Sequence, residues 1–178
     1  MKEEILSTEN IFDGRIVHLK VHDVRLPDGS TSKREIIYHQ GAVAVVAIDD
    51  DNYILLVKQY RIGAGQVLYE IPAGILEPNE NPEEAIIREM REETQYRPHS
   101  IEPIGGIYMT PGYTTEYIYL FYAQGYVHDP LDQDADEFVE SIRIKFDEAL
   151  KMIDNGEIVE AKTITALLKV ERLRRNRT

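Results

Sequence analysis

The sequence predicts a mixed α/β fold in which strands dominate and a β extension precedes the main sheet. Three observations predict it. Short β-patterned runs recur along most of the chain, and tight-turn residues join several of them in pairs. Helical periodicity is confined to three windows, 82–94, 147–154 and about 160–174. That irregular order argues for helices inserted among strands, not for a regular βαβ repeat.

Residues 10–39 alternate apolar and polar in two runs, RIVHLKVHDVRL and KREIIYH, around Leu26-Pro27-Asp28-Gly29-Ser30. Pro-Asp-Gly between strand-like runs predicts a hairpin, because glycine supplies the positive φ of the turn. Gly41 then introduces AVAVVAI and YILLVKQY, separated by Asp49-Asp50-Asp51-Asn52, a second hairpin. The unbroken apolar run at 42–48 predicts a strand buried on both faces. Further strands are expected at 68–71, 104–109, 116–123 and 138–146. The helix at 82–94 has the clearest start, with Asn81 as N-cap, Pro82 at the first helical position and Glu84 at the third. No repeat and no long linker divides the 178 residues, a length that fits one domain with a substantial core.

Composition narrows the function. The absence of cysteine excludes disulfide scaffolds, thiolate metal sites and cysteine nucleophiles. The longest apolar run is seven residues, too short for a bilayer, and MKEEILSTEN lacks an apolar signal core, so a cytoplasmic protein with no membrane partner is expected. The net charge of −12 would repel a nucleic-acid backbone. The basic stretch KVERLRRNRT reads as a helix end whose arginines complement the helix dipole. An enzyme this acidic that acts on an anionic substrate needs metal cations between the two.

The window 74–96 reads GILEPNENPEEAIIREMREETQY. On a helical wheel Glu89, Glu92 and Glu93 share one face, while Ile86, Ile87, Met90 and Thr94 gather on another suited to a sheet. Three neighbouring carboxylates repel one another unless positive charge sits among them, and hard divalent cations suit clustered oxygen ligands. A solvated acidic helix face is the plain alternative. The wider register decides against it. Gly74, Glu80, Arg88, Glu89, Met90, Glu92, Glu93 and Tyr96 match G-x5-E-x7-R-E-U-x-E-E-x-G-U, where U is bulky and apolar. Chance agreement of the six fixed identities is expected roughly once in 10⁷ start positions.

This pattern resembles the Nudix hydrolase signature. The resemblance implies a mixed β-sheet sandwiched between helices from residue 41 onward, preceded by a β-hairpin extension at 1–40. It also implies Mg²⁺-dependent hydrolysis of a nucleoside diphosphate linked to another moiety, with Mn²⁺ able to substitute. Glu89 and Glu93 match the principal metal ligands, with Glu92 beside them, and the carbonyl of Ala73 is a further ligand in one branch. Arg88 matches the residue that orients the carboxylates, and Glu80 a helper in the loop. The pattern departs at Gln95, where the family has glycine suited to a left-handed helix end. Gln there is expected to cost up to about 1 kcal/mol without touching the chemistry.

Segments outside the box resemble the ADP-ribose pyrophosphatase branch. TPGYTTE at 110–116 places Thr110, Gly112 and Glu116 where that branch binds substrate, although Thr-Pro-Gly is also an ordinary turn. VKQYR is similar to a strand whose final residue, here Arg61, lies near the substrate phosphates in relatives. Arg34 and Glu35 match positions that reach the adenine, sometimes of a neighbouring subunit. A homodimer with the first 39 residues at its interface is implied. DADEFVE at 134–140 resembles the acidic loop that supplies a general base, with Glu137 the better match and Glu140 the second. The expected substrate is ADP-ribose. A different nucleotide sugar, such as ADP-glucose or GDP-mannose, and a non-catalytic ADP-ribose sensor are the alternatives.

Overall fold

The computed structural model describes residues 1–133 and 138–177, so Glu137 lies outside the described residues. The chain forms two compact units, Met1–Gly41 with Tyr108–Tyr117, and Ala42–Ile107 with Ile118–Thr178.

In the first unit β1 (Glu4–Asp13), β2 (His18–Arg25) and β3 (Thr31–Tyr38) form an antiparallel sheet in the order β1-β2-β3. The expected hairpin is present. Gly29 takes φ +88° and donates its N–H to the Leu26 carbonyl at 2.9 Å. The third strand, β1, was not expected, because all ten of its residues are exposed and no buried face imprints a period of two. Residues 113–115 meet the end of β3 in the same unit, with Ile37 N donating to Tyr113 O at 2.8 Å and Thr115 N to Ile37 O at 2.9 Å.

The second unit is built on β4 (Ala42–Ile48), β5 (Tyr53–Arg61), β6 (Gln66–Glu70), β7 (Ala73–Ile75), β8 (Tyr96–Tyr108), β9 (Tyr117–His128) and β10 (Glu140–Lys145). The main path runs β10-β5-β4-β9-β8, with β6 on β5 and β7 on β4. The β4–β9 pair is parallel while β5 pairs antiparallel with β10 and β6, so the sheet is mixed. Three helices accompany it: α1 (Pro82–Thr94), α2 (Phe146–Asp154) and α3 (Ala161–Arg175).

All seven residues of β4 are buried, as the apolar run predicts. Val43, Val45 and Ala47 join Ala85, Ile86 and Met90 of α1 in one core cluster with Phe121 and Ala123 of β9. Ala44 and Val46, pointing the other way along the strand, are fully buried too, and α3 packs on β4. The sheet is therefore sandwiched between helices. In α1 the wheel holds for Ile86, Met90 and Thr94, but Ile87 is only half-buried and Ala85 takes the core position. Glu93, assigned to the acidic face, is 4% exposed. The basic C-terminal stretch ends α3, with Arg172, Arg174 and Arg175 in its last turn.

Candidate active site

Helix α1 begins as the sequence dictates: the Asn81 side chain accepts from Glu83 N at 2.8 Å, and Pro82 needs no hydrogen-bond partner at the first position. The helix then presents Arg88, Glu89, Glu92 and Glu93 within two turns, Arg88 and Glu92 being an i, i+4 pair. Arg88 is the hub. Its Nε and Nη2 donate to the two Glu80 oxygens at 3.1 Å each, and Nη1 donates to Glu89 at 2.8 Å and Glu92 at 3.0 Å. Glu80 is held in place by Glu77 N, which donates to it at 3.0 Å. The hydrogen bond from Arg88 holds the Glu80 carboxyl below its usual range, and Glu80 in turn raises the guanidinium above its own.

Glu93 is anchored separately, accepting from Ala73 N at 2.9 Å. Gly74 has a steric reason to be glycine: a Cβ there would lie 1.9 Å from the Glu89 carboxyl carbon. The box therefore folds so that β7 backbone and the α1 carboxylates touch.

A second ion cluster sits beside the first. Glu70, 1% exposed, accepts from Arg61 Nε at 2.7 Å and Nη2 at 2.8 Å, and also from Lys162 at the start of α3. Burial pushes the Glu70 carboxyl up, but the hydrogen bonds and charges of Arg61 and Lys162 win and hold it below its usual range. Glu160 caps α3 through Lys162 N and Thr163 N, and the Thr163 hydroxyl accepts from Ile71 N at 3.0 Å. So the strand leading into Ala73 is tied to α3. Arg61 also feels the charge of Glu93, which links the two clusters. Sequence reading places Arg61 correctly at a strand end but misses Glu70, Lys162 and Thr163. Their pairing joins residues about ninety positions apart, and no local pattern marks it.

Arg34, Glu35, Thr110, Gly112 and Glu116 lie in the first unit. Arg34 is held by Glu3 in a two-pronged pair at 3.0 and 2.7 Å, and Glu35, also on β3, is exposed. Thr110 O accepts from Tyr113 N and Thr114 N at 3.1 Å, closing the Thr-Pro-Gly turn around Gly112. Glu116 N donates to the Thr114 hydroxyl at 3.1 Å. At the first residue of β10, Glu140 accepts from Lys58 at 3.0 Å.

Comparison with known proteins agrees with this geometry. Residues 38–167 match the NUDIX domain family, and residues 3–37 match the nucleoside diphosphate sugar hydrolase N-terminal domain. The chain belongs to the Nudix family. It is 40% identical to an ADP-ribose pyrophosphatase of Bacillus subtilis (strain 168), over 94% of this chain and 91% of that one. It is 44% identical to a methanol dehydrogenase activator of Bacillus methanolicus, over 93% of this chain and 91% of that one. A crystal structure of an ADP compounds hydrolase shares the fold, with a TM-score of 0.88 at 21% identity over 99% of this chain and 96% of that one. The protein is thus a Nudix pyrophosphatase, an enzyme of nucleotide-sugar diphosphate hydrolysis.

Nudix hydrolases generally use divalent metal ions. Among the described residues, no group of three or more His, Asp or Glu side chains is arranged as a ready metal cage. The bonds above give the reason: Glu89 and Glu92 turn onto Arg88, and Glu93 turns onto the Ala73 amide. The donor set still fits a hard cation. Its side chains are carboxylates only, one guanidinium faces three carboxylates of the cluster, and glycine clears the space under Glu89.

Proposed function

We propose that this Nudix enzyme hydrolyses ADP-ribose to AMP and ribose 5-phosphate with Mg²⁺, Mn²⁺ being able to substitute. The observation that carries the reading is the carboxylate cluster gathered by Arg88 next to Glu93, in a chain 40% identical to an ADP-ribose pyrophosphatase. In this reading the Ala73 carbonyl, Glu89, Glu92 and Glu93 hold the metal. When bound, it supplies charge that offsets the negative charge developing on the diphosphate. Arg88 orients Glu89 and Glu92, and Arg61, steadied by Glu70, faces the phosphates. Arg34, Glu35, Thr110, Gly112 and Glu116 position the nucleotide. Glu137 accepts the proton of the attacking water. Glu140 is the weaker candidate for that role because Lys58 engages it. The test is a panel of nucleotide sugars with Mg²⁺ and product identification. AMP with ribose 5-phosphate, formed fastest from ADP-ribose, supports the reading; preference for GDP-mannose or ADP-glucose overturns it.

The relative named methanol dehydrogenase activator supports a second role in which the same hydrolase acts on a dehydrogenase reaction. Adding the protein to a methanol dehydrogenase assay tests it, and an unchanged rate removes it.

We also propose a cytoplasmic homodimer. Among the described residues no helix is long and apolar enough to cross a membrane. In the sheet of the first unit, among the described residues, β1 pairs only with β2, and it exposes Ile5, Leu6, Ile11 and Phe12 at 57, 43, 49 and 58%. An unpaired edge that carries apolar side chains favours a protein partner. Light scattering should give about 41 kDa, twice the 20.5 kDa chain mass. A monomer at micromolar concentration contradicts this.

A further inference from the structure

Gln95 stands where the Nudix signature has glycine, and its backbone takes the left-handed conformation that glycine favours, with φ 69°. A side chain held there carries a conformational cost of about 1 kcal/mol. That cost buys two contacts. The Gln95 Nε2 donates to the Leu131 carbonyl at 3.0 Å and to the Glu92 carbonyl at 3.1 Å. Both partners are acceptors, so only the amide nitrogen can serve them. The Glu92 carbonyl lies in the last turn of α1, where no intrahelical donor reaches it.

The surrounding bonds extend this contact into a clamp. Leu131 N donates to the Arg91 carbonyl at 3.3 Å, and Asp129 N donates to the Gln95 carbonyl at 3.1 Å. Arg91 reaches back to the Asp129 carbonyl at 3.1 Å and to its carboxylate at 3.2 Å, while Arg97 takes the other carboxylate oxygen at 3.1 Å. The segment leaving β9 is thus fastened to the helix turn that carries Glu92 and Glu93. Leu131 also lies six residues ahead of Glu137 in the sequence.

We propose that Gln95 is a positioning residue for the hydrolysis: it joins the last turn of the carboxylate helix to the segment that precedes Glu137 in the sequence. The inference rests on the pyrophosphatase reading of the site. It predicts an effect on turnover and not on substrate binding, because neither carbonyl that Gln95 holds belongs to a residue placed against the nucleotide.

Gln95→Gly is the decisive variant, since it relieves the left-handed backbone, leaves the Arg91–Asp129–Arg97 bonds in place and removes only the side-chain link. Gln95→Lys restores a donor of sufficient length. For each, kcat and KM are measured with the nucleotide sugar that the wild type hydrolyses fastest, beside a thermal melt and amide hydrogen exchange across residues 127–133. The expected result for Gln95→Gly is a melt within a few degrees of wild type, kcat lower by about tenfold, KM within about twofold and faster exchange in that segment. Gln95→Lys should recover both readings. Unchanged kcat, unchanged exchange, a loss seen only in KM, or no recovery by lysine overturns the proposal. A wild type that prefers a sugar other than ADP-ribose sinks the substrate assignment alone, because the variants are judged on the preferred substrate.

Discussion

The two ion clusters of the second unit are neighbours with opposite balances. Around Arg88, one guanidinium serves Glu80, Glu89 and Glu92, whose side chains keep 15, 12 and 20% exposure. Around Glu70, a fully buried carboxylate is matched by Arg61 and Lys162, and Lys162 also pairs with Glu160 at 3.1 Å. The Glu70 cluster is neutral, with its carboxylate and Lys162 buried and Arg61 reaching water, whereas the Arg88 cluster has surplus negative charge and every member part-exposed. Buried charge is tolerated only when it is paired and hydrogen-bonded, so the closed cluster is a structural joint between α3 and the strand before Ala73. Surplus carboxylate at a partly exposed position has no such purpose in the apo fold, since it costs repulsion. In the proposed reading its use is to receive cations. Structure and chemistry are therefore divided between two clusters that meet at Arg61 and Glu93.

The largest expected effect is on the open side. Glu93→Gln keeps an acceptor for the Ala73 amide and the shape of the buried side chain, so the fold should survive. It removes a formal charge from the proposed metal ligands, and kcat should fall roughly 10²–10³-fold. Mg²⁺-dependent turnover beside a thermal melt checks this. Turnover near wild type would mean that the surplus charge is not the reacting side of the comparison.

How much of this was legible beforehand depends on the range of the interactions. The α1 helix and its Asn81 cap, the Gly29 turn and the buried β4 follow from residues a few positions apart, and sequence reading places them within a residue or two. The carboxylate face of α1 is local in the same way. The strand β1 escaped because it has no buried face, and β8 extends to Tyr96 where only 104–109 was expected. The Glu70–Lys162 pair and the Gln95–Leu131 contact join distant segments, and neither leaves a periodic trace. Gln95 was legible only as a cost, because its compensating partner Leu131 lies 36 residues away.

On the closed side the expected effect is on stability. Lys162 is 7% and Glu70 1% exposed, so Lys162→Met leaves a buried carboxylate with Arg61 as its one remaining cation. Removing one partner of a buried pair costs about 3 kcal/mol at the low end. For a chain of this size that lowers the melting temperature by roughly 6–12 °C. A calorimetric or circular-dichroism melt measures it. A variant as stable as wild type would show that the cluster is no joint, and the division drawn above would fail.

The smallest expected effect compares one carboxylate from each cluster as a function of pH. The folded protein holds both Glu70 and Glu80 below the ordinary glutamate value of 4.5, mainly through the Arg88 hydrogen bond for Glu80 and through Arg61 and Lys162 for Glu70. A carboxylate with a depressed folded pKa adds stability that is complete above its unfolded value and disappears as pH falls through the folded value. Glu80→Gln should therefore cost about 1 kcal/mol or less near neutrality, since its pair with Arg88 is partly hydrated and screened. That difference should fade as pH falls from 4.5 toward the lower folded value, where the wild-type carboxylate itself takes up a proton. Glu70→Gln should show the same direction with a larger difference, because Glu70 itself and its partner Lys162 are buried. Urea midpoints of both variants and the wild type, taken near neutrality and again well below pH 4.5, decide the matter. A Glu80 difference that persists in acid would assign it to packing instead of charge. A Glu80 difference larger than that of Glu70 would mean that the exposed cluster, and not the buried one, holds the second unit together.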